Sequence, residues 1–191
     1  MNNIYHYLSE VLDLPLDIVE KCKINFSVQV AKKGTFLLQA GEVCNYTFFV
    51  EKGLLRMYSL DQHGKEHVIQ FAPENWMISD RSSLFFNENS HFYIEAVEDT
   101  EYLMLGNNFF TELSVQFPDS VYKIDLLLQK HIKNLQDRVR ALLSDTAEER
   151  YLAFIKMYPD ILQRVPQWMV ASYLGITPES LSRVRKNLVS K

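Results

Sequence analysis

Cysteine is nearly absent from this 191-residue chain: there are two, Cys22 and Cys44, and no CxxC pair. Thiols so few and so spaced exclude a four-cysteine iron–sulfur or zinc site, and both are expected as reduced, buried apolar groups. No apolar run is long enough to cross a bilayer. The opening residues MNNIYHYLSEVLDLP lack a basic start followed by an apolar core, so no signal peptide and no membrane partner are expected, and the cytoplasm is the expected compartment. Internal repeats and low-complexity tracts are missing as well. What is there is the composition of a folded globular protein, 47% hydrophobic and 13% aromatic, with length for one large domain or two modest ones.

The net charge of −4 argues at first against nucleic acid, but it is unevenly spread. Residues 161–191 hold Arg164, Arg183, Arg185, Lys186 and Lys191 against the single acid Glu179, a local charge of +4 that leaves −8 for residues 1–160. An acidic body with a basic tip suits a protein that meets DNA at one end.

That basic tip carries a helix-turn-helix pattern. A first helix is expected from Pro166 to Leu174, with proline in the opening turn where its missing N–H is harmless. Gly175 supplies the positive φ that ends it, Thr177 caps a second helix and Pro178 takes its first position. Ala171 is small where the two backbones meet, and Val170, Leu174, Ile176, Leu181 and Val184 form an apolar seam. On the second helix Leu181, Val184 and Leu188 share one face, and Glu179, Ser182, Arg183 and Lys186 lie opposite. Such side chains read base edges and phosphates in a major groove. Arg183 is the first candidate for guanine, Glu179 for cytosine, and Ser180 or Ser182 for bases or phosphate. Lys186, Arg185, Gln167 and Thr177 are the candidates for phosphate.

Upstream, residues 1–24 read as short helices, with Tyr5, Leu8, Val11 and Leu12 on one face and Leu16, Val19 and Cys22 on another. From Phe26 the pattern changes to short runs, FSVQVA, TFLLQA, YTFFVE, LLRMYSL, HVIQFA, FYIEAV and EYLML, broken at Lys33-Gly34, Lys52-Gly53 and His63-Gly64. Seven or eight such strands indicate an antiparallel barrel or jelly roll. FFTELSVQF is a brief helix and Phe117-Pro118 a break. From Asp119 to Ser144 there is neither Gly nor Pro, which predicts one long helix. Val121, Leu128, Leu135 and Leu142 recur every seven residues, flanked by Ile124, Ile132 and Val139 and interrupted by His131 and Arg138. This is a coiled-coil-like seam that predicts a homodimer through Val121, Ile124, Leu128, Leu135 and Leu142. A capping box, Thr146 with Glu149, opens the next helix, which ends near Tyr158-Pro159.

The arrangement resembles the Crp/Fnr family of bacterial transcription regulators over nearly the whole chain. Gly41-Glu42, Tyr46, Phe48, Val50 and Gly53 are similar to the family's strand-and-turn signature. Asn75 to Asp80 look like the start of its phosphate-binding cassette, and LGITPESLSRVRK resembles its recognition segment. The resemblance implies an α+β fold: an antiparallel β-roll (a double-stranded β-helix or jelly roll) over 1–117, a long dimerisation helix over 118–144 and a helix-turn-helix domain over 145–191. It also implies double-stranded DNA as a partner, a homodimer, and RNA polymerase as a further candidate partner.

The departures from the family shape the remaining expectations. Where cyclic-nucleotide binders of the family carry a cassette Gly-Glu, Ser79 and Asp80 stand here, and Ser90 stands where an arginine pairs with the cyclic phosphate. Losing that guanidinium removes a contact on the order of 1.5–3 kcal/mol. The expected effector pocket is Asp80, Arg81, Ser82, Ser83, Ser90 and His91, with Arg81 or His91 as substitutes, and cyclic AMP is not an expected tight ligand. The central helix reads Lys133-Asn134-Leu135-Gln136 in place of a Thr-Ser pair for adenine. No cofactor is expected: the N-terminal cysteine cluster of the iron–sulfur relatives is missing, and any effector is an unidentified small molecule. The sequence stops three residues after Leu188, so no β-hairpin wing is expected after the recognition helix. Two alternatives stay open, a small-molecule-binding or interaction protein whose helix-turn-helix does not engage DNA, and a cupin-like metal enzyme using His63, Glu66 and His67. The second lacks a third ligand nearby, with His91 remote in sequence, so neither a metal nor an enzyme is expected.

Overall fold

A computed structural model describes residues 3–14 and 27–189. The expected helical face of Leu16, Val19 and Cys22 lies outside the described residues. Contacts divide the chain into two compact units, residues 1–57 with 70–130, and residues 58–69 with 131–191.

The strands are short: β1 (Gln29–Ala31), β2 (Phe36–Leu38), β3 (Tyr46–Lys52), β4 (Leu55–Leu60), β5 (Glu66–Ala72), β6 (Met77–Ile78), β7 (Tyr93–Ala96) and β8 (Thr100–Gly106). They form two four-stranded sheets, β1-β8-β3-β6 and β2-β7-β4-β5, an open jelly roll. Each of the seven apolar runs in the sequence contains a strand, and β6 is the eighth. Alternation sets the register: β3 pairs antiparallel with β8, Phe48 opposite Met104 and Phe49 opposite Leu103. Phe49 and Leu103 are fully buried, with Leu55, Phe71 and Ile94 also at the bottom of the exposure range.

Helix α1 (Asn3–Leu12) closes one side of the roll. Its buried residues are Ile4, Leu8 and Leu12, spaced by four; Ile4 thus joins the expected face of Leu8 and Leu12, and Tyr5 packs partly buried against it. They cluster with Phe49, Leu103, Leu105 and with Phe109 and Leu113 of α3 (Phe109–Gln116), the helix that follows the short α2 (Arg81–Phe86). Buried Glu51 is explained by this helix. Its carboxylate accepts from the Asn3 and Ile4 N–H groups at 2.6 and 3.0 Å, satisfying donors at a positive helix end. Buried Arg56 on β4 donates to half-buried Glu95 on β7 through Nε at 3.0 Å and Nη2 at 2.6 Å.

A 3-10 turn (Pro118–Ser120) precedes the long helix α4 (Val121–Ser144). The helix therefore begins at Val121, two residues later than Asp119, because Pro118 opens a tighter turn first. The second unit contains α5 (Ala147–Met157), the single turn α6 (Ile161–Arg164), α7 (Gln167–Leu174) and α8 (Pro178–Val189). Thr146 and Glu149 form the reciprocal capping box at the start of α5. Phe154, Tyr158 and Tyr173 stack around one another at centroid distances of 5.2 to 5.7 Å, and Ile161, Val170, Ala171, Leu174 and Leu181 are buried with them. The tip of the β4–β5 hairpin, residues 58–69, belongs to this unit.

Candidate nucleic-acid interface and effector cassette

The helix pair is fixed by its turn. Gly175 at φ +68° ends α7, and its N–H bonds back to the Ala171 and Ser172 carbonyls. The Ile176 N–H reaches the Ala171 carbonyl at 3.0 Å, which completes a left-handed C-terminal cap. A Cβ at position 175 would lie 3.2 Å from a Leu142 methyl, so glycine also lets α4 approach the turn. Pro166 takes the cap position of α7, with an extended backbone, and Gln167 opens the helix; the expected start at Pro166 is one residue early. Thr177 caps α8, its Oγ1 accepting from the Ser180 N–H at 3.3 Å, with Pro178 first in the helix.

Helix α8 is two-faced. Leu181 is fully buried, and Val184 and Leu188 are half-buried. Glu179, Ser182, Arg183 and Lys186 are exposed on the other side, and Thr177 and Gln167 are exposed at the two helix starts. Ser180 and Arg185 are half-buried at the margins. Arg183 Nη2 donates to Ser180 Oγ at 3.1 Å, which ties Arg183 through Ser180 to the Thr177 cap. Its own backbone N–H, then the Thr177 hydroxyl, holds the Glu179 carboxyl below its usual range, so this group is an anion and a pure acceptor at neutral pH.

Helix α4 presents an exposed apolar row. None of its residues is buried, and Val121 (51%), Leu128 (37%), Leu135 (46%) and Leu142 (43%) are exposed, as are Ile132 and Val139. Ile124 departs from the expected seam: it packs with Leu127 against the α1–α3 cluster of the roll, where its side chain is spent within the protomer. Arg138, which interrupts the apolar row, is half-buried and donates through Nη2 to the Val68 and Tyr173 carbonyls at 3.1 Å each.

In the roll, the expected effector residues fall into two groups. Asp80 is buried and caps α2 (Arg81–Phe86), accepting from the Ser82 and Ser83 N–H groups at 3.0 and 3.4 Å. Buried Ser83 accepts from the Cys44 N–H at 2.7 Å through its hydroxyl, and the Ser82 hydroxyl donates to Glu88. Burial pushes the Cys44 thiol above its usual pKa. Arg81 is exposed and lies over the Phe85 ring, 4.9 Å from its centroid. Ser90 is buried, its hydroxyl bridging the Phe92 N–H and carbonyl, and its backbone pairs with Gly41 and Glu42. His91 is exposed. Cys44 and Glu88 are the partners that sequence reasoning missed; neither sits at a spacing that ties it to the serines.

At the hairpin tip, Asp61 accepts from the His63 and Lys65 N–H groups and from His67 Nε2 at 3.0 Å. The His67 bond, then those two amides, lowers the Asp61 carboxyl to about 2. HGKEH is thus a turn organised around a carboxylate. Among the described residues, no group of three or more His, Cys, Asp or Glu is arranged to hold a metal ion.

Residues 28–116 match the family model of the cyclic nucleotide-binding domain. Over 164 residues the chain is 23% identical to an anaerobic regulatory protein of Pasteurella multocida, covering 80% of this chain and 59% of that relative. It is 26% identical to the transcriptional activator protein Anr of Pseudomonas aeruginosa, covering 80% and 66%. The chain thus spans less than two thirds of these relatives' length. Among solved structures, FixK2 from Bradyrhizobium japonicum superposes with a TM-score of 0.73 at 18% identity, over 87% of this chain and 86% of that one.

Proposed function

We propose that this Crp/Fnr-type chain, a cyclic nucleotide-binding domain followed by a long helix and a helix-turn-helix, acts as a homodimeric, sequence-specific DNA-binding transcriptional regulator and not as an enzyme. Its working parts are the roll (1–117), the pairing helix (118–144) and the DNA-binding segment (145–191), with RNA polymerase as a further partner and the cytoplasm as its compartment. The observation that carries this reading is α8: Leu181 fully buried on one side, and Glu179, Ser182, Arg183 and Lys186 open on the other. Paired through Val121, Leu128, Leu135 and Leu142, two such helices enter successive major grooves about 34 Å apart. Arg183 reads guanine, a contact worth about 1–3 kcal/mol of discrimination, and Glu179 accepts from cytosine. Ser180 and Ser182 touch bases or phosphate, while Gln167, Thr177, Arg185 and Lys186 hold phosphates.

The test starts from duplexes enriched out of a randomised pool by the wild-type protein. Arg183→Ala is expected to flatten the preference for the enriched sequence over random duplex. Lys186→Ala is expected to weaken both alike and to reduce the salt slope by about one. Equal losses on enriched and random duplex for both variants would contradict the assignment, and failure to enrich any sequence would remove the function itself.

The cassette of Asp80, Arg81, Ser82, Ser83, Ser90 and His91 is proposed to serve an effector other than cyclic AMP. Asp80 is engaged as a helix cap, Ser90 is engaged with the Phe92 backbone, and no guanidinium stands at position 90 to meet a cyclic phosphate. Titration calorimetry with cyclic AMP is expected to give no binding in the micromolar range; a micromolar dissociation constant would refute this.

A further inference from the structure

Strand β5 is the last strand of its sheet, so its outer backbone groups have no strand beyond them. A helix occupies two of those groups. The Ser172 hydroxyl on α7 accepts from the Val68 N–H at 2.9 Å and donates to the Glu66 carbonyl at 2.8 Å. The carbonyl of one residue and the N–H two residues on are the pair that a parallel neighbour strand engages. One hydroxyl, donor and acceptor at once, completes that rung. Arg138 reinforces it. Its Nη2 joins the Val68 carbonyl to the Tyr173 carbonyl, and its guanidinium lies 3.6 Å from the centroid of the Tyr173 ring. Tyr173 in turn packs on Phe154 and Tyr158, the aromatic centre of the helical unit.

We propose that Ser172 and Arg138 form a latch between the β4–β5 hairpin tip and the first helix of the helix-turn-helix, and that this latch sets the pose of α8 for DNA. The second clause rests on the DNA-binding reading above; the first does not. The latch leaves the polar face of α8 open, since Glu179, Ser182, Arg183 and Lys186 stay exposed while it is closed. It therefore acts by pre-organising the helix pair, and not by masking it. α7 packs against α8, so whatever holds α7 limits the poses open to α8. Both sides of the tip are continuous with β4 and β5, and the tip reaches α7 through the Ser172 and Arg138 hydrogen bonds. Ser172 and Arg138 are positioning residues, distinct from the groups proposed to touch DNA.

The experiment uses the full chain as wild type, Ser172→Ala and Ser172→Thr, followed by amide hydrogen exchange and by titration with the duplex that wild type enriches from a random pool. In Ser172→Ala, the Val68 amide is expected to exchange about tenfold faster, the loss of one intramolecular hydrogen bond. The Leu181 amide, bonded to the Thr177 carbonyl at 3.0 Å, is expected to keep its wild-type rate. Affinity for the enriched duplex is expected to fall at least fivefold. Ser172→Thr retains the hydroxyl and is expected to restore both readouts. An unchanged Val68 rate in Ser172→Ala overturns the latch whatever happens with DNA. Faster Val68 exchange with affinity within twofold of wild type overturns its control of α8. Joint acceleration of Val68 and Leu181 overturns it too, since Ser172 then only stabilises the helices. If wild type enriches no duplex, the DNA reading and the second clause fall together, and Val68 exchange alone decides the first.

Discussion

Leu128→Glu combined with Leu135→Glu is expected to leave a folded monomer that no longer binds the enriched duplex. Both side chains lie on α4 and are open to solvent: Leu128 is 37% exposed and Leu135 46%. None of the 24 residues of α4 is buried, and its contacts within the chain, through Ile124, Leu127 and Arg138, leave the Leu128–Leu135 row open. On the proposed homodimer, a second α4 laid along Val121, Leu128, Leu135 and Leu142 would cover that row. Full burial of a leucine contributes about 1.5–3 kcal/mol. The two positions occur in both protomers, so at half that value the four losses together weaken dimerisation by more than about a hundredfold. Glutamates brought face to face add repulsion. On the proposed function, loss of DNA binding follows because each protomer would hold one recognition helix and a two-fold site needs both. Sedimentation velocity and circular dichroism check the result. A double variant that sediments as wild type would show that this row is not the interface.

Gly53→Ala is expected to destabilise the roll by about 2–6 kcal/mol, from strain of about 1–3 kcal/mol at positive φ added to about 1–3 kcal/mol for overpacking. Gly53 follows β3 with φ +97°. A Cβ there would lie 2.7 Å from the Asp99 carbonyl oxygen and from Thr100 Oγ1, and 2.8 Å from Thr100 Cα. That neighbour cannot yield, because Thr100 begins β8 in register with Ala31, and its hydroxyl accepts from the Leu54 N–H at 3.1 Å. The comparison that isolates the clash is Gly64→Ala at the hairpin tip, where φ is +76° but nothing lies within 4 Å of the added carbon. Urea unfolding should place Gly53→Ala well below Gly64→Ala, and equal midpoints would mean that the Asp99–Thr100 backbone moves freely.

Much of the fold was legible because its signals are local. Alternation marked the strands, and the caps at Thr146, Gly175 and Thr177 marked helix ends. The two faces of α8 were legible for the same reason: 100° per residue separates Leu181 from Arg183 and Lys186 without help from the rest of the chain. The contacts that escaped are long in sequence. Ser172 meets Val68 across 104 positions and Arg138 meets it across 70, and no periodicity links them. Arg138 looked like a fault in the apolar row because its partners lie off the helix. Ile124 misled in the opposite way: it fits the heptad pattern, yet its apolar surface is taken by the roll. In the cassette, Asp80 could be named as a polar residue at a sensitive place, but its role as the cap of α2 depends on a backbone turn that composition does not encode.

The hydroxyl of Ser172 has one more consequence. A terminal strand with open N–H and C=O groups is a template on which another molecule can lay a strand of its own, the usual first step towards aggregation. With residues 66 and 68 already claimed by a helix, which offers no extended backbone to continue the pattern, β5 is a poor template there, and the chain gains protection against stacking sheet to sheet in a crowded cell.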